Sequence, residues 1–306
     1  MDLEWVAQVT GARRARRAAR LSSLWSGYGE IVRVELEDAD VETVVVKSVR
    51  PPPRPAGDPG DARKRRSYDV ERAFYTTFAP RCPERCRVAR LRGGRATTDE
   101  WLFVLEDLDA MGFDQRKHGG DASTYDRCLA WLAAFHATFL GDAPTGLWKT
   151  GTYWHLATRR EELTVVDDSI RSIAPVLDAK LAACVHKTFV HGDAKLANFC
   201  FARGRSAVAA VDFQYVGGGC GMKDVAYLLA GEAEEERALE LYFGHLRREL
   251  TARSVDPAPV EAEWRALYPI ACADFYRFLA GWAPSHFARD RHAQRVLREV
   301  TASVSR

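Results

Sequence analysis

The sequence lacks a long apolar segment, which argues against a chain that crosses a membrane. In its 306 residues, no apolar run approaches the roughly 20 residues that a transmembrane helix needs. A cluster of arginines between residues 13 and 20 is not followed by an apolar stretch, so the N-terminus is not typical of a secretory signal. We expect a short amphipathic surface helix over residues 2–20 and no membrane partner.

A strong charge of either sign is also missing. The chain has 44 basic and 42 acidic residues, a net charge of +2, which does not favour a nucleic-acid partner. It has seven cysteines, an odd number, at scattered positions, which is typical of reduced thiols in a cytoplasmic protein. Cys82 and Cys86 stand too far from other ligands in the sequence to favour a zinc site.

The composition that remains is that of a soluble globular protein. Hydrophobic residues make up 47% of the chain and charged residues 28%. A chain of this length can bury a sizeable core in one large or two moderate domains. No internal repeat is present.

Two short apolar runs organise the most informative stretch. The first covers residues 188–190 and the second covers residues 207–211, with a turn predicted at residues 202–205 between them. We interpret this stretch as a hairpin-like unit that carries polar groups at its ends.

Those polar groups are suited to phosphoryl transfer. Asp193 and Asn198 are five residues apart, and Asp212 follows the second apolar run. Phosphoryl transfer needs one carboxylate to orient a substrate hydroxyl, and an amide and a second carboxylate to hold Mg²⁺ on the nucleotide phosphates.

The first hundred residues predict a small antiparallel sheet, because polar and apolar residues alternate or valines cluster. The predicted strands are residues 30–36, 41–49, 83–91 and 101–105, with turns at 38–40 and 92–94. Gly27 and Gly29 precede the first of these strands, where glycines let backbone N–H groups approach phosphates closely. An ordinary hairpin turn is the alternative.

Lys47 interrupts the valine-rich strand. A cation inside a buried strand needs a partner of opposite charge, unless the lysine stands at an exposed position. Residues 51–61, rich in proline, glycine and aspartate, predict an irregular connection after this strand. Helical spacing then predicts helices, starting near residues 67, 123, 168, 225, 234 and 261.

The central motif resembles a known family. His-Gly-Asp at residues 191–193, Asn198 five residues after the aspartate, and Asp-Phe-Gln at residues 212–214 resemble the catalytic loop and metal-binding segment of kinase-like phosphotransferases. The chain is similar to the aminoglycoside phosphotransferase and choline kinase group, most of all to its ecdysteroid-kinase-like branch. Protein kinases carry arginine at the position of Gly192.

The resemblance implies an α+β, bilobal protein-kinase-like fold. Residues 1–108 would form a small lobe with an antiparallel sheet, and residues 109–306 a mainly helical lobe. MgATP would bind in the cleft between them.

The resemblance also implies roles in the transfer itself. Asp193 would orient the acceptor hydroxyl, Asn198 and Asp212 would hold Mg²⁺, and Lys195 would lie near the γ-phosphate. Two residues would support the loop: His191 and Asp224.

For the nucleotide, Lys47 would contact the α- and β-phosphates and pair with Glu71. Backbone groups of Glu106 and Leu108 would hold the adenine. Two other carboxylates could replace Glu71 in the pair: Asp69 and Glu84.

The sequence therefore predicts an ATP- and Mg²⁺-dependent kinase of a small hydroxylated acceptor, such as an amino-alcohol, aminoglycoside, steroid or sugar. A protein kinase is disfavoured by the short segment between Asp212 and Asp224. A catalytically silent nucleotide-binding protein is disfavoured because Lys47, Asp193 and Asn198 occur together. The aromatic residues around Asp274 are either core or the wall of an acceptor pocket.

Overall fold

A computed structural model describes residues 1–53, 55, 57–204, 206–231 and 234–304. Arg54 and Ala56 of the predicted connection, and Arg205 of the predicted turn, lie outside this part. In the part of the chain that is described, no helix is long and apolar enough to cross a membrane.

An antiparallel sheet of five strands lies in the N-terminal third. The strands of this region are β1 Arg14–Ser23, β2 Gly29–Glu37, β3 Thr43–Val49, β4 Arg87–Val88, β5 Leu91–Ala96 and β6 Trp101–Glu106. Their order in the sheet is β1, β2, β3, β6 and β5, and β4 is not a member. The strand with Lys47 is therefore central, between β2 and β6.

The remainder of the chain is mostly helical. The helices are α1 Leu3–Thr10, α2 Pro59–Ala73, α3 Ala122–Thr138, α4 Asp168–Ala182, α5 Met222–Leu228, α6 Glu235–Thr251, α7 Pro257–Trp282, α8 Pro284–Phe287 and α9 Arg291–Val304. The short strands between them are β7 Gln115–Arg116, β8 Thr188–Val190, β9 Phe199–Phe201, β10 Val208–Ala210 and β11 Gly217–Gly219.

The prediction of a helix over residues 2–20 is wrong beyond α1. The helix ends because Gly11 takes a left-handed conformation with φ 69°, and the arginines that follow belong to β1. They form ion pairs with acidic residues of β2, among them Arg17 with Glu30 at 2.8 Å and Arg16 with Glu35. Cross-strand pairing of opposite charges favours an exposed strand over a surface helix.

Helix α2 begins inside the predicted irregular connection. The Asp58 side chain accepts a hydrogen bond from Gly60 N at 2.8 Å, and Pro59 occupies the first helical position, where its missing N–H costs nothing. The segment rich in proline and glycine therefore contains the start of a helix.

The predicted strand over residues 83–91 and turn over residues 92–94 are also wrong. Only β4 is extended within the first segment, and it pairs in parallel with β10, outside the main sheet. Gly93 lies within β5, where a Cβ would meet Val9 of α1 at 2.8 Å, so α1 packs directly on this strand.

The two apolar runs of the central stretch do not pair with each other. Strand β8 pairs with β11, and β10 pairs with β9 in an antiparallel hairpin. The polar loop at residues 191–198 therefore connects two different small sheets. A strand of three residues has too few side chains for its hydrophobic pattern to determine which strand it pairs with.

One hydrophobic core runs through both parts of the molecule. It joins Tyr28, Val49 and Phe103 of the sheet region to aromatic residues of the helices. A second, smaller core lies on the opposite face of the sheet, under α1, and includes Val6 and Val46.

Candidate active site

The loop at residues 191–198 holds a buried carboxylate, that of Asp193. Its Oδ2 accepts hydrogen bonds from Lys195 Nζ at 2.8 Å and from Asn198 Nδ2 at 2.9 Å. Asn198 Nδ2 also donates to the Asp193 carbonyl at 2.8 Å. Among the described residues, Asp193 Oδ1 is buried and has no hydrogen-bond partner. One oxygen is thus fixed, and the other is available to a ligand.

A buried aspartate braces this loop. Asp224, at the start of α5, accepts hydrogen bonds from the backbone N–H groups of His191 at 2.5 Å and Gly192 at 2.9 Å. His136 of α3 lies 3.1 Å from the same carboxylate and 2.7 Å from the Tyr242 hydroxyl. Asp224 and His136 thus hold the backbone of the loop in place through one buried chain of hydrogen bonds.

His191 connects the loop to the strand that ends before Asp212. Its Nε2 donates to the Val211 carbonyl at 3.0 Å, and its Nδ1 accepts from the backbone N–H of Asp193 at 3.2 Å. Only the tautomer protonated on Nε2 satisfies both contacts. Gly192 has φ 80°, and a Cβ there would lie 2.2 Å from the Tyr215 carbonyl.

Lys47 and Glu71 form a buried ion pair behind the loop. Lys47 Nζ lies 2.7 and 2.9 Å from the two carboxylate oxygens of Glu71, and 3.5 Å from Asp212 Oδ1. The two other carboxylates considered for this pair contact other residues. Asp69 accepts from Trp101 Nε1, and Glu84 lies 3.4 Å from Arg87 Nε.

Burial shifts the pKa values of these carboxyl groups. It raises the pKa of Glu71 to about 7, although the Lys47 ammonium opposes the shift. It also raises the pKa of Asp193, and the charge of Asp212 adds to this effect while Lys195 lowers it. Burial disfavours the ammonium of Lys47, but the charges of Glu71 and Asp212 outweigh it and raise the Lys47 pKa.

Asp212 takes a left-handed backbone conformation, φ 69°, which is uncommon for a residue other than glycine. Phe213 is fully buried and stacks on Phe74 at 4.0 Å between ring centroids. Phe74 begins a π-helical turn that follows α2 and ends at Phe78. The Phe213 ring therefore fixes the Asp212 backbone against the helix that carries Glu71.

Asn198 and Asp212 have the chemistry of a magnesium site. Asp212 Oδ1 is buried without a hydrogen-bond partner among the described residues, and its distance to Lys47 is too long for a strong hydrogen bond. The Asn198 amide nitrogen is engaged, so its oxygen is the atom that would bind a metal. The described residues contain no cluster of three or more His, Cys, Asp and Glu side chains. Mg²⁺ takes few protein ligands beside phosphates, and oxygen donors suit it.

Of the two predicted glycines, Gly27 lies in the β1–β2 loop, with φ 76°, and Gly29 is the first residue of β2, with φ 137°. This loop contacts α2, because the Tyr28 hydroxyl donates to Asp61 and Lys64 lies 4.4 Å above the Tyr28 ring. A Cβ on Gly29 would lie 2.0 Å from the Ser48 carbonyl, so glycine is required at this close approach of two strands.

Glu106 and Leu108 lie at and just beyond the end of β6. The Glu106 side chain is buried against Arg87 at 2.7 Å, and its backbone N–H donates to the Arg90 carbonyl. The Leu108 carbonyl accepts from Phe113 N at 2.8 Å and keeps a second lone pair.

Sequence reasoning missed the tyrosines around Asp193. Tyr153, Tyr215 and Tyr227 form edge-to-face contacts, with ring centroids 5.9 and 5.7 Å from that of Tyr153. Burial and the Asp193 carboxylate raise the pKa values of Tyr215 and Tyr227. No local pattern predicts this cluster, because its members come from three separate segments.

The aromatic residues of α7 around Asp274 are core. Asp274 is buried with Arg277 at 2.8 Å and Lys223 at 3.3 Å. Burial alone would raise the pKa of Asp274, but these two cations lower it to about 2. Only Trp282, at the end of the helix, is largely exposed. Asp274 is thus neutralised within the protein.

Solved structures share this fold at low sequence identity. A putative fructosamine-3-kinase from Thermobifida fusca is 16% identical, with a TM-score of 0.55 over 99% of this chain and 97% of that chain. A microcompartment-associated aminopropanol kinase is 16% identical, with a TM-score of 0.54, and the match covers 95% of this chain and 90% of that chain. An aminoglycoside phosphotransferase in complex with ADP and hygromycin B is 13% identical, with a TM-score of 0.53, and the match covers 98% of this chain and 97% of that chain. The predicted bilobal, protein-kinase-like α+β fold is confirmed.

A search of curated protein sequences finds no significant match. The narrower resemblance to the ecdysteroid-kinase-like branch, and a lobe boundary at residue 108, stay predictions. The family model described as the phosphotransferase enzyme family matches residues 22–266, which is most of the chain. The predicted phosphotransferase identity is therefore confirmed, and the chain belongs to the phosphotransferase enzyme family.

Proposed function

We propose that the protein transfers the γ-phosphate of ATP, with Mg²⁺, to a hydroxyl group of a small acceptor. The observation that carries this proposal is the Asp193 carboxylate. One of its oxygens is held by Lys195 and Asn198, the other is buried without a partner, and Asp212 lies within electrostatic reach. Unlike Asp274, whose carboxylate lies beside both Arg277 and Lys223, Asp193 lies beside a single cation, Lys195, and near a second carboxylate, Asp212.

Asp193 orients the acceptor hydroxyl through its free oxygen and takes the hydroxyl proton late in the transfer. Its raised pKa supports this role, because a base with a pKa closer to the working pH is a better proton acceptor. Lys195, whose ammonium is half-exposed, balances the charge of Asp193 and contacts the transferring phosphate.

On the nucleotide side, Lys47 contacts the α- and β-phosphates and Glu71 holds the ammonium in place. Gly27 and Gly29 let backbone N–H groups approach the phosphates, and backbone groups of Glu106 and Leu108 bind adenine. Asn198 and Asp212 hold Mg²⁺. When bound, Mg²⁺ neutralises charge on the phosphates.

A small acceptor is favoured over a protein by the segment that follows Asp212. Residues 217–219 form β11, which is buried and paired with β8, so this segment offers no exposed platform for a polypeptide. The kinases and phosphotransferase compared above are named for aminopropanol, fructosamine and aminoglycosides. All seven cysteines are free thiols, which supports the cytoplasm as the place of action.

Two measurements test the proposed function. MgATP should raise the melting temperature of the wild-type protein, because a ligand that binds only the folded state stabilises it by mass action. The shift should shrink in Lys47→Ala. Labelled γ-phosphate should then appear on one or more components of a metabolite extract, which mass spectrometry identifies. No thermal shift at millimolar MgATP together with no labelled product would refute the proposal.

A further inference from the structure

A cavity of about 470 Å³ lies between α2 and the segment that follows α3, a volume suited to a small molecule. It is lined by Pro59, Ala62, Arg63, Arg66, Trp148, Ala157, Thr158, Arg160 and Glu161. Three of these side chains are arginines and one is a carboxylate, so the cavity has a net positive charge.

One of these arginines is nearly buried and incompletely satisfied. The Arg63 side chain is 11% exposed, and its Nη1 donates to the Thr158 carbonyl at 2.8 Å and to Glu161 at 3.1 Å. Its Nε is buried without a hydrogen-bond partner among the described residues. A buried guanidinium N–H without a partner is costly, and a ligand that accepts a hydrogen bond there would remove the cost.

The other two arginines complete the wall. Arg66 lies 5.9 Å from the Trp148 ring and donates to the Gly146 carbonyl at 3.1 Å. Arg160 is exposed at the rim. Guanidinium groups present planar sets of donors, which match carboxylate and phosphate oxygens.

Two aromatic rings connect the wall of the cavity to the catalytic loop. Trp148 stacks on Tyr215 at 6.3 Å with an interplanar angle of 10°, and its Nε1 donates to the Gln214 carbonyl at 2.8 Å. The Tyr215 carbonyl packs on Gly192, where a Cβ would lie only 2.2 Å from it. Tyr215 therefore lies between Trp148 of the arginine-lined cavity and the residue that precedes Asp193.

A cationic acceptor would bind to carboxylates and aromatic faces. Several of these groups already contact arginine or lysine side chains of the protein. Glu162 pairs with Arg159 at 3.2 Å, and the Arg159 guanidinium lies 5.1 Å from the Trp282 ring and 5.8 Å from the Tyr153 ring. Asp274 is neutralised as described above. Glu162, Asp274 and the rings of Tyr153 and Trp282 thus already contact arginine or lysine side chains of the protein.

We infer that the acceptor carries an anionic oxygen group, a carboxylate or a phosphate, in addition to its reactive hydroxyl, and that the arginine-lined cavity binds this group. The inference rests on the proposed function and specifies its substrate class. Trp148 and Tyr215 would line the path between the bound anion and Asp193.

The experiment compares matched acceptors. Hydroxy carboxylates, their neutral carboxamides and hydroxyl-bearing phosphate esters are offered with labelled ATP and Mg²⁺. We expect transfer to anionic members and little to the carboxamides. Arg160→Gln and Arg66→Gln should each raise the acceptor KM about 10-fold, since each removes a charged hydrogen-bond donor. Arg298→Gln, an exposed arginine of α9 outside the cavity, is the matched control and should leave KM unchanged. Carboxylates and phosphate esters are scored separately to identify the source of the anion.

Transfer to neutral or cationic acceptors alone would overturn the inference and leave the proposed function intact. The inference would also be overturned, and the proposed function kept, if anionic acceptors were phosphorylated with an unchanged KM in both Arg160→Gln and Arg66→Gln. If MgATP binds but no acceptor is phosphorylated, calorimetric titration with citrate at constant ionic strength tests whether the cavity binds anions. Binding weakened about 10-fold in Arg160→Gln, but not in Arg298→Gln, supports the cavity as an anion site, and no binding overturns it. A protein that does not bind MgATP contradicts the proposed function and the inference together.

Discussion

At the scale of single residues, the two carboxylate oxygens of Asp193 differ in their environment. Substitution of this residue therefore tests the transfer step separately from the binding of MgATP. We expect Asp193→Asn to lower phosphoryl transfer about 10²- to 10⁴-fold, the usual effect of removing a positioned base, because an amide cannot take the proton. The affinity for MgATP should stay close to that of the wild type, since the side-chain shape is kept. Parallel rate and titration measurements on one preparation check both. A variant with the wild-type rate would exclude Asp193 from the mechanism.

If Lys47 binds the nucleotide as proposed, Glu71 makes that binding depend on pH. Its pKa of about 7 means that the carboxyl is protonated at lower pH, where Lys47 loses its anionic partner. We therefore expect the KM for MgATP to rise as the pH falls from 8 to 6. In Glu71→Gln the KM should be high and nearly independent of pH in this range. A wild-type KM that does not change across this range would contradict the prediction.

The same group has the opposite effect on folding stability. Its pKa rises from an ordinary 4.5 to about 7 on folding, so the folded state binds the proton more tightly. This contribution to stability is complete below pH 4.5 and is lost as the pH rises through 7. The difference in unfolding free energy between wild type and Glu71→Gln, followed by urea titration over this range, isolates it from other titrating groups.

The proposed metal ligands predict a change in magnesium requirement. Asp212→Asn removes the negative charge of one ligand and Asn198→Ala removes the oxygen of the other, so turnover should fall and the Mg²⁺ concentration for half-maximal rate should rise. Kinetics over a range of free Mg²⁺ at saturating ATP measure this. An unchanged Mg²⁺ dependence in both variants would show that neither residue binds the metal.

Single residues were predictable where their chemistry demands a specific partner. A lysine within a valine-rich strand needs a carboxylate, and Glu71 on the next helix supplies it. The tyrosines at 153, 215 and 227 have no such demand, because a tyrosine packs in many environments. Their convergence on Asp193 depends on the complete tertiary structure.

At the scale of elements, the packing of α1 on β5 can be tested with two adjacent glycines. A Cβ on Gly93 would lie 2.8 Å from a Val9 methyl group of α1, whereas a Cβ on Gly94 would lie no closer than 3.6 Å to any neighbour. We expect Gly93→Ala to lower the free energy of unfolding by about 1–3 kcal/mol, the usual cost of overpacking. Gly94→Ala should change it far less. Equal effects in urea denaturation would mean that α1 does not rest on this strand.

Long helices were predicted close to their observed limits, because their periodicity extends over several turns. The helix predicted to begin near residue 168 starts at Asp168, and the one predicted to begin near residue 234 starts at Glu235. Strand β1 was not predicted, because its exposed side chains show no alternation with apolar residues. The partners of β8 and β10 were not predictable either, since three residues do not define a register.

At the scale of the whole molecule, the sequence indicated the fold through one motif rather than through its elements. The spacing of Asp193, Asn198 and Asp212 resembles a family with two lobes, and that resemblance gave the architecture. The arginine-lined cavity was not predictable, because Arg63 and Trp148 are 85 residues apart in the chain. Their side chains meet only after α2 packs against the segment that follows α3.

The core that passes through both lobes has a consequence for how the protein melts. Tyr28, Val49 and Phe103 share one packed cluster with the helices, and Phe213 stacks directly on Phe74. Neither lobe can lose its structure without exposing apolar surface of the other. Scanning calorimetry should therefore record a single cooperative transition, with equal calorimetric and van't Hoff enthalpies. Two resolved transitions would mean that the lobes unfold independently. If they do not, the cleft between the lobes has no half-folded form, and whatever it binds would be released in the same step in which either lobe unfolds.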